Sequence, residues 1–428
     1  MDINQNDYTE REQIEREVYA KRQKRASRSA FLWGVTAGLI VALCISGGMY
    51  LYSKQHYKQA STDQKSEKPR SVLDNSVIAK IHVLEQSVND YYLEEVDNKA
   101  IADSIYAGYI NGLGDKYSAY YTAEELAKVR EDSAGVFYGI GATLTIDEAT
   151  EMTKLVHVLE DTPAEEAGLK DGDIIVAVDE IPTRGKTLSD VVMEVKGKEG
   201  TQVHLTIYRE GEYDYLEFDI TRRAIETKTV AYEMDEATHI ATIQIAEFDT
   251  VTTEQFDEAL KNARKDGMKA LIIDLRDNPG GNLSAVVDIG RELLPEGLIV
   301  YTEDKYGKRE EYKSDGKQEL EVPLVVLVNE NSASAAEILA GAVKDYGIGT
   351  ILGTTTYGKG IVQKIYGLTD GSAVKLTVSH YYTPKGNDIH GVGIKPDEEL
   401  ELDAEKFVKD GIDNQRERAK EILLKEMR

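Results

Sequence analysis

The stretch VNENSASAAEILAGAVKDYG (Val328–Gly347) runs from an apolar segment into an alanine-rich one, with Ser332 and Ser334 at the junction. The preceding LVVLV lacks the alternation of a half-exposed strand and reads as a strand buried on both faces. The alanine-rich segment reads as a helix. A serine at such a strand-to-helix turn is exposed. It sits beside unpaired amides and roughly half a positive charge at the helix N-terminus. Two readings follow. Ser334-Ala-Ala-Glu337 fits a capping box, in which hydroxyl and carboxylate satisfy each other's end of the first turn. Alternatively Asn331 and Ser332 supply the caps, and Ser334 is a nucleophile with the Ala335 amide facing an oxyanion.

A serine nucleophile needs a base. The histidines at 56, 82, 157, 204, 239, 380 and 390 are scattered, and no G-x-S-x-G occurs. Lys359, in GTTTYGKGIVQ, is the alternative. Flanked by Gly358 and Gly360, its backbone can approach neighbouring segments, and desolvation can bring a lysine into the range of a base. On its own, a Gly-Lys-Gly lysine also fits a solvated turn. Gln363, four residues on, returns to the same face of a helix or strand and can orient the amine. In DLRDNPGGN (Asp274–Asn282) a strand ends at Gly280-Gly281, where bare backbone can offer a second oxyanion donor. The rival reading of GTTTYGKG as a phosphate-binding loop fails on two counts: Gly360 replaces the Ser/Thr that holds Mg²⁺, and IVQKIYG reads as a strand where a helix is required.

Outward from these motifs the pattern is α/β. Strands are expected at IATIQIAEF, KALIIDLRD, GLIVYTED, PLVVLVNE, YGIGTILGT and AVKLTVSHYYT. Helices are expected at TTEQFDEALKNARKDG, LSAVVDIGRELL and the alanine-rich stretch. From Val136 to Arg222 short strands and glycine turns dominate. FYGIGATLTI, DTPAEEAGLKDGDIIVAVDE and TLSDVVMEVKGKEGTQVHLTIYREG, in that order, resemble a PDZ domain of the bacterial protease type. The resemblance implies that a partner's free C-terminus adds as a strand, its carboxylate held by the loop Gly139, Ile140 and Gly141.

NENSASAAE, YGKGIVQ, DLRDNPGG and the ending YYTPKGNDIHGVGIKPD together resemble the carboxyl-terminal processing peptidases, or tail-specific proteases, over Asn75 to Asp397. The resemblance implies an α/β core with a crotonase- or Clp-protease-like spiral and an inserted PDZ domain. It implies a Ser334/Lys359 dyad assisted by Gln363, an oxyanion hole from Ala335 with Gly280 and Gly281, and no cofactor. His390 stands where the family leads one to expect a polar, non-titrating residue. The substrates implied are proteins with accessible, apolar C-termini. The alternative is a non-catalytic PDZ scaffold at the cell surface.

The N-terminal part reads differently. AFLWGVTAGLIVALCISGGMYLY (Ala30–Tyr52) runs 23 residues without a charge, longer than the roughly 30 Å of a bilayer core requires. KRQKRASR before it carries five positive charges, which places the N-terminus in the cytoplasm and the remainder outside. The expected organisation is a tail (1–29), a transmembrane helix (30–52), a stalk (53–74), a helical region (75–133), the PDZ domain (134–222), the protease core (223–400) and a C-terminal helix (401–428). Helical ends on both sides suggest a homodimer. The net charge of −26, from 51 basic and 77 acidic residues, argues against nucleic-acid binding. The one cysteine, Cys44, rules out an intramolecular disulfide, and no Cys/His cluster supports a metal.

Overall fold

The computed structural model describes residues 71–147 and 150–428. The expected tail, the 30–52 span and most of the stalk lie outside the described residues. Among the described residues no helix is long and apolar enough to cross a membrane. The chain divides into two units at Val96/Asp97. In the first, α1 (Asn75–Tyr91) starts at Asp74, whose carboxylate accepts the amides of Ser76 and Val77. Its apolar stripe buries no residue completely, and Ile78, Val83 and Leu84 are exposed.

The second unit opens with α2 (Asn98–Asn111), the short strand β1 (Ala119–Tyr121) and α3 (Ala123–Ala134). Thr122 caps α3 as its sequence predicts: it accepts the Glu125 amide, and the Glu125 carboxylate accepts the Thr122 amide. The helical reading of 75–133 missed β1. Three residues carry no usable periodicity, and the strand forms only because Ala119 pairs with Lys375 far along the chain.

Then comes the PDZ-like insert. Its elements are β2 (Val136–Gly139), β3 (Ala142–Asp147), β4 (Met152–Val158), α4 (Pro163–Ala167), β5 (Ile174–Val178), β6 (Ile181–Pro182), α5 (Leu188–Val195), β7 (Gln202–Tyr208) and β8 (Leu216–Thr221). The sheet order is β3-β4-β5-β7-β8, so β3 is an edge. In β7 the alternation sends Val203, Leu205 and Ile207 into a core shared with Leu155, Ile175 and Val191. Each such side chain contributes about 1.5–3 kcal/mol by leaving water. Arg222 closes the module by donating to the carbonyls of Glu194, Val195 and Gln202. β2 pairs outside that sheet, with β9 (Arg223–Glu226), and the pair forms a two-stranded stem.

The core continues through β10 (Val230–Asp235), β11 (Ile240–Ile245), α6 (Thr252–Lys265), β12 (Ala270–Asp274), α7 (Leu283–Arg291), β13 (Gly297–Asp304), β14 (Arg309–Ser314), β15 (Leu324–Val328), α8 (Ala335–Tyr346), β16 (Thr350–Gly353), β17 (Ile361–Gly367), β18 (Ala373–Tyr382), β19 (Glu398–Glu399), α9 (Ala404–Asp410) and α10 (Asn414–Glu426). One sheet runs β10-β11-β12-β15-β16-β19, parallel from β11 onward. Leu271 and Ile273 face Phe256, Val286 and Leu339, whereas Ala270 and Ile272 face Ala419 and Leu423 of α10. Both faces are covered, which is why LVVLV does not alternate. The second sheet joins β14, β13, β18, β17 and β1. β1 therefore belongs to the core, and the PDZ-like module is inserted between it and β10. The C-terminal helix expected at 401–428 breaks at Gly411, whose φ of 70° ends α9. Along this segment Leu423 is buried, while Phe407, Val408 and Ile412 stay exposed.

Candidate active site

β15 ends at Val328 and α8 begins at Ala335. Ser334 sits in the turn between them with φ 53° and ψ −111°. That conformation costs a non-glycine residue about 1–3 kcal/mol and persists only where its surroundings hold it. The Ala333 amide donates to Asn278 O (2.9 Å) and the Tyr357 amide to Ser332 O (3.0 Å). Ser332 is fully buried; its Oγ donates to Leu275 O at 2.7 Å and accepts the Asn329 amide at 2.9 Å. Asn331 donates to Asp277. Neither Asn331 nor Ser332 caps α8, so that expectation is corrected: both brace the turn instead. Glu337 takes the Ser334 amide at 2.9 Å, one half of the capping box.

The Gly280-Gly281 turn lies directly against Ser334. A Cβ on Gly280 would stand 2.7 Å from both Ala333 O and Ser334 Cβ, and one on Gly281 would overlap the Phe248 carbonyl. Their φ values of 101° and 138° independently favour glycine. The Gly280 amide donates to Asn278 Oδ1 at 2.8 Å. The Gly280 amide, expected to face the oxyanion, is thus already bonded within the turn. Among the described residues the amides of Gly281 and Ala335 have no protein acceptor.

Lys359 is half-buried. Its flanking glycines allow the close approach foreseen: a Cβ on Gly360 would meet the His390 amide at 2.6 Å, and Gly358 packs on the Gly391–Gly393 backbone. Burial pulls the Lys359 ammonium below its ordinary 10.5, and the positive charges of Lys375 and Lys116 act the same way. Tyr357 and Glu337 oppose them. The chain after Gly360 is the strand β17, which excludes the phosphate-loop reading. A bulge between Val362 and Gln363 re-aims that strand. The Gln363 side-chain amide donates to Thr377 Oγ1 at 3.4 Å rather than to Lys359. Ser334, Ala335, Gly281, Lys359, Gln363 and Tyr381 all line one cavity of about 240 Å³. A larger cleft of about 840 Å³ beside Asp274 and Arg276 holds no comparable chemistry. Its guanidinium is spent on Asp274, Asp413 and Gln415.

Residues 239–400 match Peptidase family S41, and residues 156–209 match a PDZ domain. A carboxyl-terminal-processing protease of Synechocystis sp. is 36% identical over 292 residues, 68% of this chain and 68% of that protein. The chain belongs to peptidase family S41. A probable CtpA-like serine protease of Staphylococcus epidermidis is 37% identical over 324 residues, 75% of this chain and 65% of that protein. Among solved structures, a photosystem II D1 C-terminal processing protease is 31% identical, with 75% of this chain and 86% of that one covered and a TM-score of 0.45. Membership decides between the two readings of the sequence: this is a serine peptidase with a PDZ domain, not a non-catalytic scaffold.

Several residues of this S41 peptidase escaped the sequence reading. The fully buried Glu337 accepts the amides of Ser334, Gly358 and Lys359 and the Thr356 hydroxyl. Only its capping-box spacing was visible. Tyr117 lays its ring 5.0 Å from Lys359 Nζ, and Lys116 donates to Tyr357 at 2.8 Å. Nothing in DKYSAYY signals either contact. In the PDZ-like module Gly139 ends β2, and Ile140 and Gly141 form the buried link to β3. There the Ile140 carbonyl accepts the Ala164 amide, and a Cβ on Gly141 would overlap Thr162. Lys196 packs beside Gly139 and pairs with Glu131 of α3 at 2.8 Å.

Proposed function

We propose that this S41 peptidase grips the C-terminal tail of a protein substrate in its PDZ domain and cleaves upstream through Ser334. The observation that carries the reading is the single cavity in which Ser334, Lys359 and Gln363 meet the open amides of Gly281 and Ala335. Neutral Lys359 takes the proton of Ser334 Oγ as the oxygen attacks the scissile carbonyl. The oxyanion then sits between the Gly281 and Ala335 amides. Lys359 returns the proton to the leaving amine and next removes one from the water that hydrolyses the acyl-enzyme. Gln363 orients the lysine amine once substrate fills the cavity. The tail adds to the free edge of β3, its carboxylate against Gly139–Gly141.

The reading includes an anchor at 30–52, an N-terminus in the cytoplasm and a catalytic part outside it. It also includes a homodimer formed through the helical ends, supported by the exposed apolar residues of α1 and α9. Light scattering that gives a monomer would refute the dimer.

The test incubates the full chain, and its Ser334→Ala and Lys359→Ala variants, with an unstructured protein ending in an apolar tail; fragments are read by mass spectrometry. Only the unmodified enzyme is expected to cut. Equal cutting by all three would sink the dyad, and tail binding without any cutting would return the scaffold.

A further inference from the structure

Ser334 and Lys359 lie on separate segments, and two buried side chains take up the backbone polar groups of both. Glu337 accepts the two amides, at 2.9 Å from Ser334 and 2.8 Å from Lys359. The Tyr381 hydroxyl donates to the two carbonyls, at 2.9 Å to Ser334 O and in a shared bond to Lys359 O. Tyr381 is 1% exposed on β18, and its own amide donates to Gly360 O at 3.1 Å.

We propose that the Tyr381 hydroxyl is a positioning group for catalysis: by bridging the Ser334 and Lys359 carbonyls it sets the separation between nucleophile and base. The inference rests on the Ser334/Lys359 reading above. A phenylalanine would fill the same volume, so packing does not explain the oxygen. Burying a hydroxyl is costly unless it is bonded, and the partners it meets here are the two residues of the dyad. The adjacent Tyr382 is used differently, stacking on Tyr301 with ring centroids 4.9 Å apart. Burial holds the Tyr381 phenol well above its ordinary range, which favours the protonated, donating hydroxyl. Glu337 thus holds the amides of the pair and Tyr381 its carbonyls. Without the hydroxyl the bridge between the two carbonyls is lost, and a misplacement of about 1 Å between reacting groups costs on the order of 100-fold in rate.

The test measures the rate at which a small fluorophosphonate labels Ser334 in the full chain, in Tyr381→Phe and in a Tyr382→Phe control. Peptide kcat, KM and melting temperature are recorded alongside. The expected result is labelling and kcat about 100-fold lower for Tyr381→Phe, with KM and melting temperature unchanged and Tyr382→Phe unaffected. Equal labelling rates would overturn the proposal, as would a loss that follows a fall in melting temperature. If the unmodified chain is not labelled at Ser334, the underlying dyad fails, and the positioning role with it. Should Tyr381→Phe not fold, 4-aminophenylalanine against 4-methylphenylalanine at 381 makes the same comparison. The first keeps a donor at the ring's far end, and the second keeps only the shape. Restored labelling with the amine alone supports the role, and equal labelling refutes it.

Discussion

Lys359 shows how one residue's surroundings set the chemistry. In the proposed mechanism the ammonium form is no base, so activity is expected to rise as pH climbs through its pKa, which lies below the ordinary 10.5. Burial is the main cause, and the charge of Lys375 is the next. Lys375 stands opposite Ile365 on the strand that pairs with the Gln363 segment. Replacing it by methionine removes a repelling cation. The protonated form of Lys359 is then penalised less and its pKa moves up. The inflection in log kcat/KM against pH should therefore shift to higher pH in Lys375→Met, with the plateau at high pH unchanged. An inflection that stays in place or moves down would show that Lys375 does not act on the base.

At the scale of elements, the active site is the meeting of the α8 N-terminus with the Thr356–Gly360 segment, and Glu337 is the joint. One of its oxygens accepts Thr356 Oγ1 and the Gly358 amide, the other the amides of Ser334 and Lys359. Glu337→Gln keeps the shape but puts an NH₂ where two donors converge. The buried carboxylate is lost and two groups are left facing a donor, a change worth about 3 kcal/mol. The expected outcome is a lower melting temperature and at least a tenfold loss of kcat, seen by calorimetry and peptide assay; a variant as stable and active as the parent would contradict the joint. The sequence reaches this level only in part. The strand at 324–328, the helix after it and the placing of Ser334, Lys359 and Gln363 were legible because burial on both faces, helix propensity and motif order are local. Which amides remain open was not. Gly280 and Gly281 look equivalent in sequence, and only the Asn278 side chain, folded back onto Gly280, distinguishes them. β1 and Tyr381 were silent for the same reason, since their roles rest on partners distant in the chain.

The molecule as a whole inserts a PDZ-like module between β1 and β10, and the route into it passes the Gly280–Asn282 turn. The last residues of α3, at the foot of the β2/β9 stem, are bound to Asn282: Ser133 Oγ donates to Asn282 Oδ1 (2.9 Å), and Asn282 Nδ2 donates to Ser133 O (2.9 Å). Asn282 follows Gly281, one of the two residues with an open amide. On the proposed mechanism, a shift of the stem on tail binding would therefore pull directly on the loop assigned to the oxyanion. Coupling of this kind is typically worth 1–3 kcal/mol, or about 5- to 150-fold. The expectation concerns the ratio of kcat/KM for a substrate with a free C-terminal carboxylate to that for the same chain amidated. In the unmodified enzyme the ratio is expected to exceed one, since the proposed role of the loop Gly139–Gly141 is to hold the carboxylate. In Asn282→Ala tail affinity, read by fluorescence anisotropy, stays the same, since no tail contact is removed. The kcat part of the ratio falls toward one, because binding no longer reaches the loop. If that part persists in full, the stem acts on the site by another path or not at all. If the affinity itself is lost, Asn282 supports the module's fold rather than its communication with the nucleophile.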